Sequence, residues 1–433
     1  MAELRPFCGL RYNLALVTDL SEVLCPPYDV IGPEEQQRLH QLSPYNMVRL
    51  ELGQEFPTDT PQENRYTRAA AQFSCWLAEE VLLREEQPAL YLLRQRFTHR
   101  GQEMARLSLL AAVRLEELDR GGILPHERTA EAPKRDRLAL MEACQANLSP
   151  VMALYRDPLG TVQGLLKRVQ EASPVAQARD GQGGSQLWCI SQEEAIGQIG
   201  SALAGQPLYL ADGHHRYETA LAYRDRMRAR AQGQWSDDDA SNFVLMALVS
   251  LDDPGLLVLP YHRLVCGLAP PMLTCLRDRL HQCFHIEPFA AAREGPWLEV
   301  LLDTVEELGR ERVALGLLGP DGEGPYLLTL KEGQKPSGRG PIADFEAWLL
   351  EELVLAPVLR ETLVDSVSYV HDPEEAVRRI EDTTCQMAFF LRPLPLELFE
   401  AIVRQGQRLP PKSTYFHPKL PTGLVLNPLE DKL

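Results

Sequence analysis

The sequence predicts a mixed α+β (α/β) fold, and three observations carry that prediction. Segments of two-residue and 3.6-residue hydrophobic period alternate along much of the chain. Two apolar runs, 89–98 and 105–115, flank the turn His99-Arg100-Gly101-Gln102 as a hairpin. A third run, Pro207-Leu208-Tyr209-Leu210, enters the turn Ala211-Asp212-Gly213-His214-His215-Arg216, and a helical segment, 220–231, leaves it. At 433 residues the chain exceeds one ordinary core. It reads as an N-terminal α/β domain, 1–265, and a C-terminal α/β region, 266–433, whose tail is expected to return to the site.

The elements follow in order. Leu24-Cys25-Pro26-Pro27-Tyr28-Asp29 is barred from helix by its prolines, and Gly32-Pro33 then starts a short helix ending near Leu42. Ser43-Pro44-Tyr45-Asn46 is a turn, and 47–52 reads as a strand. Asn64 to Glu85 reads as one amphipathic helix, with Ala70, Phe73, Leu77 and Val81 on one face. After the hairpin come a loop at 121–129, a helix at 134–146 and a strand at 151–155. Helix at 162–170, strand at 187–190, helix at 193–203 and strand at 208–211 continue the alternation. Between them, 178–185 is a Gly-rich turn, and 232–239 is a solvated acidic loop. Segments 242–251 and 256–259 read as a β pair across Asp252-Asp253-Pro254-Gly255. Helices at 271–283 and 297–308, then strands at 313–317 and 326–330 about a Gly-rich turn, complete the regular elements, with a boundary near 266–271.

Composition narrows the function classes. A net charge of −17 argues against a nucleic-acid binder, which needs a basic face. No apolar stretch reaches bilayer-spanning length, and the N-terminus lacks a signal-peptide pattern. Nine scattered cysteines with no C-x-x-C pair fit a reduced, cytoplasmic protein better than a disulfide framework. There is no Walker A loop, no Rossmann glycine fingerprint and no nucleophile elbow.

The Asp212–Arg216 turn is the strongest chemical signal. Glycine lets a ligand approach the backbone, and the first amides of the helix point outward. Gly213, His215 and Arg216 therefore read as a phosphate grip. His214 reads as a proton-transfer group near neutral pH, and Asp212 as a Mg²⁺ ligand or proton acceptor. The competing reading is an Asp-capped helix with solvent-facing histidines. In the loop, His126 and Glu127 suit acid–base work or a local hydrogen bond; with His214, His215 and His262 they form a rival transition-metal picture that lacks recognisable ligand spacing. Asp29 is a turn residue or a site carboxylate, and Glu51 a strand-end charge or a base. In the tail, Lys412, Ser413 and Thr414 resemble an anion-binding set, and the pair Tyr415-Phe416 argues that the tail docks.

These motifs resemble a bacterial and archaeal family, domain of unknown function family 1015. The carriers are Pro6-Phe7 with Gly9-Leu10-Arg11-Tyr12, Pro26 to Ile31, Ser43 to Asn46, His126-Glu127 with Thr129, Asn147-Leu148-Ser149-Pro150, 211–221, His262-Arg263 and 412–419. Gly213 and Arg216 before a helix also resemble the ParB/sulfiredoxin-like fold, whose G-x-x-R turn holds nucleotide phosphates. His214 stands where sulfiredoxins have cysteine, and Asp212-Gly213-His214 is most similar to free serine kinases. The resemblance implies a ParB/sulfiredoxin-like core and a small-molecule phosphotransferase. It would take Mg²⁺ with a nucleoside di- or triphosphate and a small hydroxylated substrate such as free serine. In that picture Glu127 or Glu51 is the base, Asp212 binds Mg²⁺ or assists proton removal, and Arg263 is a further candidate site residue. A non-catalytic nucleotide switch and a metal-dependent phosphate-ester hydrolase are the alternatives.

Overall fold

The expected hairpin is the spine of the first of two units. The computed structural model describes residues 3–118, 121–179, 183–231, 233–289, 296–319, 324–430 and 432–433. The first unit comprises Met1–Leu257 and Pro418–Leu433, and the second Val258–His417. The division thus falls at Val258 rather than at 266, and the end of the tail belongs to the first unit.

The first unit is built on a nine-stranded sheet. Its strands are β1 (Leu4–Arg5), β2 (Leu90–His99), β3 (Gln102–Arg114), β4 (Ile123–Leu124), β5 (Val151–Tyr155), β6 (Ala176–Ala178), β7 (Gly184–Ile190), β8 (Leu208–Asp212) and β9 (Phe243–Ser250). The order is β4-β8-β5-β9-β3-β2-β7-β6, with β1 added to β3. Strand β9 lies at the centre, parallel to β5 and antiparallel to β3, and all eight of its residues are buried. That double pairing explains why its sequence is a continuous apolar run rather than an alternation. It also means that β9 is not a hairpin partner of the segment after Pro254, as the turn chemistry suggested. Helices α1 (Pro33–Leu42), α2 (Val48–Glu51), α3 (Arg65–Ala78), α4 (Glu131–Cys144) and α5 (His214–Arg230) carry the residues that matter below. Tyr217, Ala220, Leu221 and Tyr223 of α5 pack into a core with Leu109, Ala153, Leu210 and Met246.

Two local readings change. Segment 47–52 is helix, not strand: Met47, Val48, Leu50 and Glu51 are buried, a helical spacing, and Asn46 Oδ1 accepts the Val48 amide at 3.0 Å. The long helix expected to reach Glu85 stops at Ala78. Glu80 adopts a φ of 57°, and Leu82–Arg84 becomes a strand paired with Leu10–Tyr12.

The second unit has a six-stranded sheet made of β10 (His262–Val265), β11 (Phe284–Pro288), β12 (Ala314–Leu318), β13 (Tyr326–Leu330), β14 (Val367–Val370) and β15 (Met387–Phe390). The order is β11-β13-β12-β15-β10-β14. Its core joins Leu264, Leu301, Val305, Ala388 and Phe390. Cys266 and Cys385 form a disulfide at the ends of β10 and β15, which corrects the expectation of uniformly reduced thiols. The two cysteines follow and precede strands that pair side by side, a neighbourhood invisible at a separation of 119 positions. Parts of the turn at 178–185, of the loop at 232–239 and of the Gly-rich turn before Tyr326 lie outside the described residues. No helix among the described residues is long and apolar enough to cross a membrane.

Candidate functional site

Strand β8 ends at Asp212 and α5 begins at His214, with Gly213 between them at a φ of 85°. Glycine is required there twice over. The φ lies in the left-handed region, and a Cβ would stand 2.9 Å from both Nε and Nη2 of Arg216. The guanidinium folds back over the glycine. Its Nη2 donates to Asp212 Oδ2 at 2.8 Å, and its Nη1 donates to the carbonyl of Pro150. Arg216 is only 7% exposed, and its Nε has no hydrogen-bond partner among the described residues.

The other carboxylate oxygen of Asp212 accepts from Lys419 Nζ at 2.5 Å. Burial alone would raise the Asp212 carboxyl; Lys419 and Arg216 override it and hold the group well below the ordinary 3.8. Lys419 arrives on a segment stitched into the unit. Arg106 on β3 donates to the carbonyl of Pro418 at 2.6 Å, and Gln95 on β2 donates to the carbonyl of Lys419 at 3.0 Å. Arg106 and Gln95 are cross-strand partners, and Arg106 also donates to Gln95 Oε1 at 2.6 Å. Further along, Thr422 bridges to Cys25, Leu426 to Leu10, and Asn427 pairs with Asn147.

The histidines do something other than expected. Nε2 of His214 accepts the backbone amide of His126 at 3.2 Å, and Nε2 of His215 accepts the amide of Ala130 at 3.0 Å. Accepting at Nε2 requires a lone pair there, so both rings are held as the neutral Nδ1–H tautomer. They fasten the 126–130 loop to the start of α5. The Nε2 of His214 is thus committed to a backbone N–H. His126 donates from Nδ1 to the carbonyl of Leu210 at 2.6 Å and meets His214 edge-on at 4.5 Å. Glu127 Oε1 lies 3.9 Å from His126 Nε2 on a side chain 28% exposed. Burial lowers the His215 pKa, opposed by the charges of Glu218, Glu127 and Asp29.

Beneath the turn lies a second polar group. Asp29, Glu51 and Tyr28 lie close enough to add to the field that Asp212 exerts on Arg216. Glu51 is buried in α2, not solvated at a strand end, and accepts from Ser149 Oγ at 3.1 Å. Arg137 on α4 donates to the Glu51 carbonyl at 2.7 Å and lies over the Tyr28 ring at 4.1 Å. A cavity of about 30 Å³, room for a water molecule or two, is lined by Glu51, Arg137, Ser149 and Arg216.

The first unit therefore gathers Asp29, Glu51, His126, Glu127, Asp212, Gly213, His214, His215 and Arg216. Lys412, Ser413, Thr414 and Arg263 belong to the second unit. There Lys412 Nζ lies 5.6 Å from the Tyr261 ring centroid, and Ser413 Oγ donates to the Pro410 carbonyl at 2.6 Å. Arg263 is buried in β10, donating to the Tyr261 carbonyl at 2.6 Å. Sequence reasoning gave no site role to Arg137, nor to Ser149 and Lys419, which it named only within family motifs. Lys419 stands in the same tail motif as Lys412, but the irregular backbone between them carries no period that distinguishes them.

A resident metal does not fit this donor set. Both carboxylate oxygens of Asp212 are held by cations, one by Arg216 and one by Lys419. No cluster of three His, Cys, Asp or Glu side chains among the described residues is arranged to hold an ion. The rival convergence of His126, Glu127, His214, His215 and His262 on a transition metal is corrected as well. Nε2 of His214 and of His215 are occupied by amides, and His262 Nδ1 accepts the Leu391 amide at 3.2 Å within the second unit.

Residues 4–353 match the family model described as Protein of unknown function (DUF1015). No curated protein matches the chain. Among solved structures, it is similar to a conserved hypothetical protein from Pyrococcus furiosus at 14% identity and a TM-score of 0.35, covering 75% of this chain and 97% of that one. It is similar to a free serine kinase in complex with AMP at 14% identity and a TM-score of 0.35, covering 73% and 92%. It is also similar to SbnI from Staphylococcus aureus at 11% identity and a TM-score of 0.38, covering 74% and 87%.

Proposed function

We propose, from the premise that this chain belongs to the DUF1015 family, that the Asp212–Arg216 turn binds the phosphates of a nucleotide and passes one to a small hydroxylated acceptor. One observation carries the reading: a buried guanidinium folded over Gly213 along a helix N-terminal turn, with an N–H that lacks a partner among the described residues. Such a turn combines outward amides, a positive helix end and a fixed cation, the needs of a phosphate. The choice of a nucleotide follows the likeness of Asp212-Gly213-His214 to the free serine kinase motif.

In this reading the amides of the first turn and Arg216 take the phosphate oxygens. Asp212 holds Arg216 in place until the phosphate arrives. His214 and His215 keep the 126–130 loop closed over the turn, which puts Glu127 beside His126 and within reach of His215's field. Glu127, the more accessible carboxylate, accepts the proton of the acceptor hydroxyl, while buried Glu51 is tied up with Ser149 and Arg137. Any Mg²⁺ enters with the nucleotide, as part of the substrate. A cytoplasmic setting, where nucleotides are abundant, belongs to the same reading.

The test follows nucleotide consumption by phosphorus NMR with a panel of nucleoside triphosphates, Mg²⁺ and hydroxy amino acids. Phosphorylated acceptor made by the native protein and lost in Arg216→Ala and Glu127→Gln supports the reading. Tight nucleotide binding without turnover would instead make the protein a nucleotide switch. No binding at all would sink the proposal.

A further inference from the structure

We infer that Lys419, delivered by the C-terminal segment, is a phosphate-gripping cation of this site, and that Asp212 holds its place until a phosphate arrives. The inference rests on reading the turn as a phosphate site, and it adds a residue from the far end of the chain. The ammonium lies 2.5 Å from a carboxylate oxygen whose partner oxygen is held by Arg216. The Lys419 side chain is 12% exposed, so the charge is aimed inward rather than left in solvent.

The aim is enforced from behind. Arg106 and Gln95 seize the carbonyls of Pro418 and Lys419, one from each strand of the central hairpin. Arg106 is itself fully buried, a costly placement for a guanidinium. That cost is spent on fixing two consecutive carbonyls of a segment with irregular backbone, and the result is a lysine ammonium at the Gly213 turn. Lys419 and Arg216 thus hold the two oxygens of one carboxylate, two cations gathered on a single anionic group. A phosphate, with more charge and more acceptors than a carboxylate, competes with Asp212 for both. Arg106 and Gln95 act as positioning residues; Lys419 makes the contact.

The probe is tripolyphosphate, titrated calorimetrically into the full chain at low salt, beside adenosine as an uncharged control. Lys419→Met should weaken tripolyphosphate binding by about tenfold, the scale of one charge-assisted contact, with Lys419→Arg recovering most of it. Arg106→Met should give a smaller loss, with the salt dependence of binding reduced as in Lys419→Met. Asp212→Asn should tighten tripolyphosphate binding several-fold, since the placeholder is neutralised; this variant serves if Lys419→Met fails to fold. Native-like tripolyphosphate affinity in Lys419→Met, or weaker binding in Asp212→Asn, overturns the inference and leaves the Arg216 reading standing. A native protein that binds neither tripolyphosphate nor any nucleotide overturns both.

Discussion

Lys419 Nζ donates to Asp212 Oδ1 across 207 positions of sequence, closing the first unit of the fold on its own strand-to-helix turn. The contact joins the end of strand β8 to a segment that reaches it only after the whole second unit has been traversed. It turns a local strand–turn–helix motif into a site whose charge balance depends on tertiary structure.

Removing the shared carboxylate should expose that balance. Asp212→Ala leaves two cations facing each other in a mostly buried position, where breaking a pair costs about 3–5 kcal/mol. Arg216 keeps the Pro150 carbonyl, so the loss should sit near the low end, about 3 kcal/mol. Chemical denaturation measures it. Added inorganic phosphate should restore stability in Asp212→Ala more than in the native chain, because the anion replaces the missing charge.

Gly213→Ala tests the turn itself. A left-handed residue with a side chain costs about 1–2 kcal/mol, and the new Cβ also collides with the guanidinium at 2.9 Å. The midpoint of thermal unfolding should fall, and phosphate affinity should fall with it as Arg216 is pushed from its seat. An unchanged phosphate affinity would separate the glycine from the site.

Acid should loosen the 126–130 loop. His215 accepts the Ala130 amide only when neutral, and burial lowers its pKa from the ordinary 6.5 against the charges of Glu218, Glu127 and Asp29, with Lys134 adding to the lowering. The neutral form is therefore the folded form. Its contribution is complete above about pH 6.5 and declines as pH falls from there toward the lowered folded pKa, because the unfolded chain binds more protons in that window. Hydrogen exchange at the Ala130 amide should accelerate over that range, and His215→Phe should make it fast at every pH.

The Cys266–Cys385 bridge should be found as a cross-linked peptide by mass spectrometry of the unreduced protein. It closes a loop of 119 positions, worth about 4–5 kcal/mol in the chain-entropy picture. Cys266→Ser should lower the unfolding transition of the second unit, while the tripolyphosphate affinity of the first stays as it was.

Much of the scaffold was legible because it is locally encoded. The hairpin about Arg100-Gly101, the strand into Asp212 and the helix after it follow from apolar periods and turn residues that act within a few positions. The short run 47–52 misled, because six residues do not separate a helical turn from a strand; Asn46 and the burial of Glu51 decide it. Strand β9 is legible as a strand but its partners are not, since a continuous apolar run says that both faces are covered without saying by what.

The same division runs through the site. The sequence by itself determined that a glycine, a carboxylate and an arginine meet at one strand-to-helix turn, because they stand within four positions of one another, about one turn of backbone. It also marked Asp29, Glu51, His126 and Glu127, which the fold gathers about that turn. Only tertiary structure decided their jobs. His214 and His215 became amide acceptors because a loop nearly ninety positions upstream lies against them, and Asp212 became a partner of cations because Lys419 arrives there. Residue type is set locally, but protonation, tautomer and partner are set by whatever packs alongside, and those neighbours come from distant chain brought together by burial of the core.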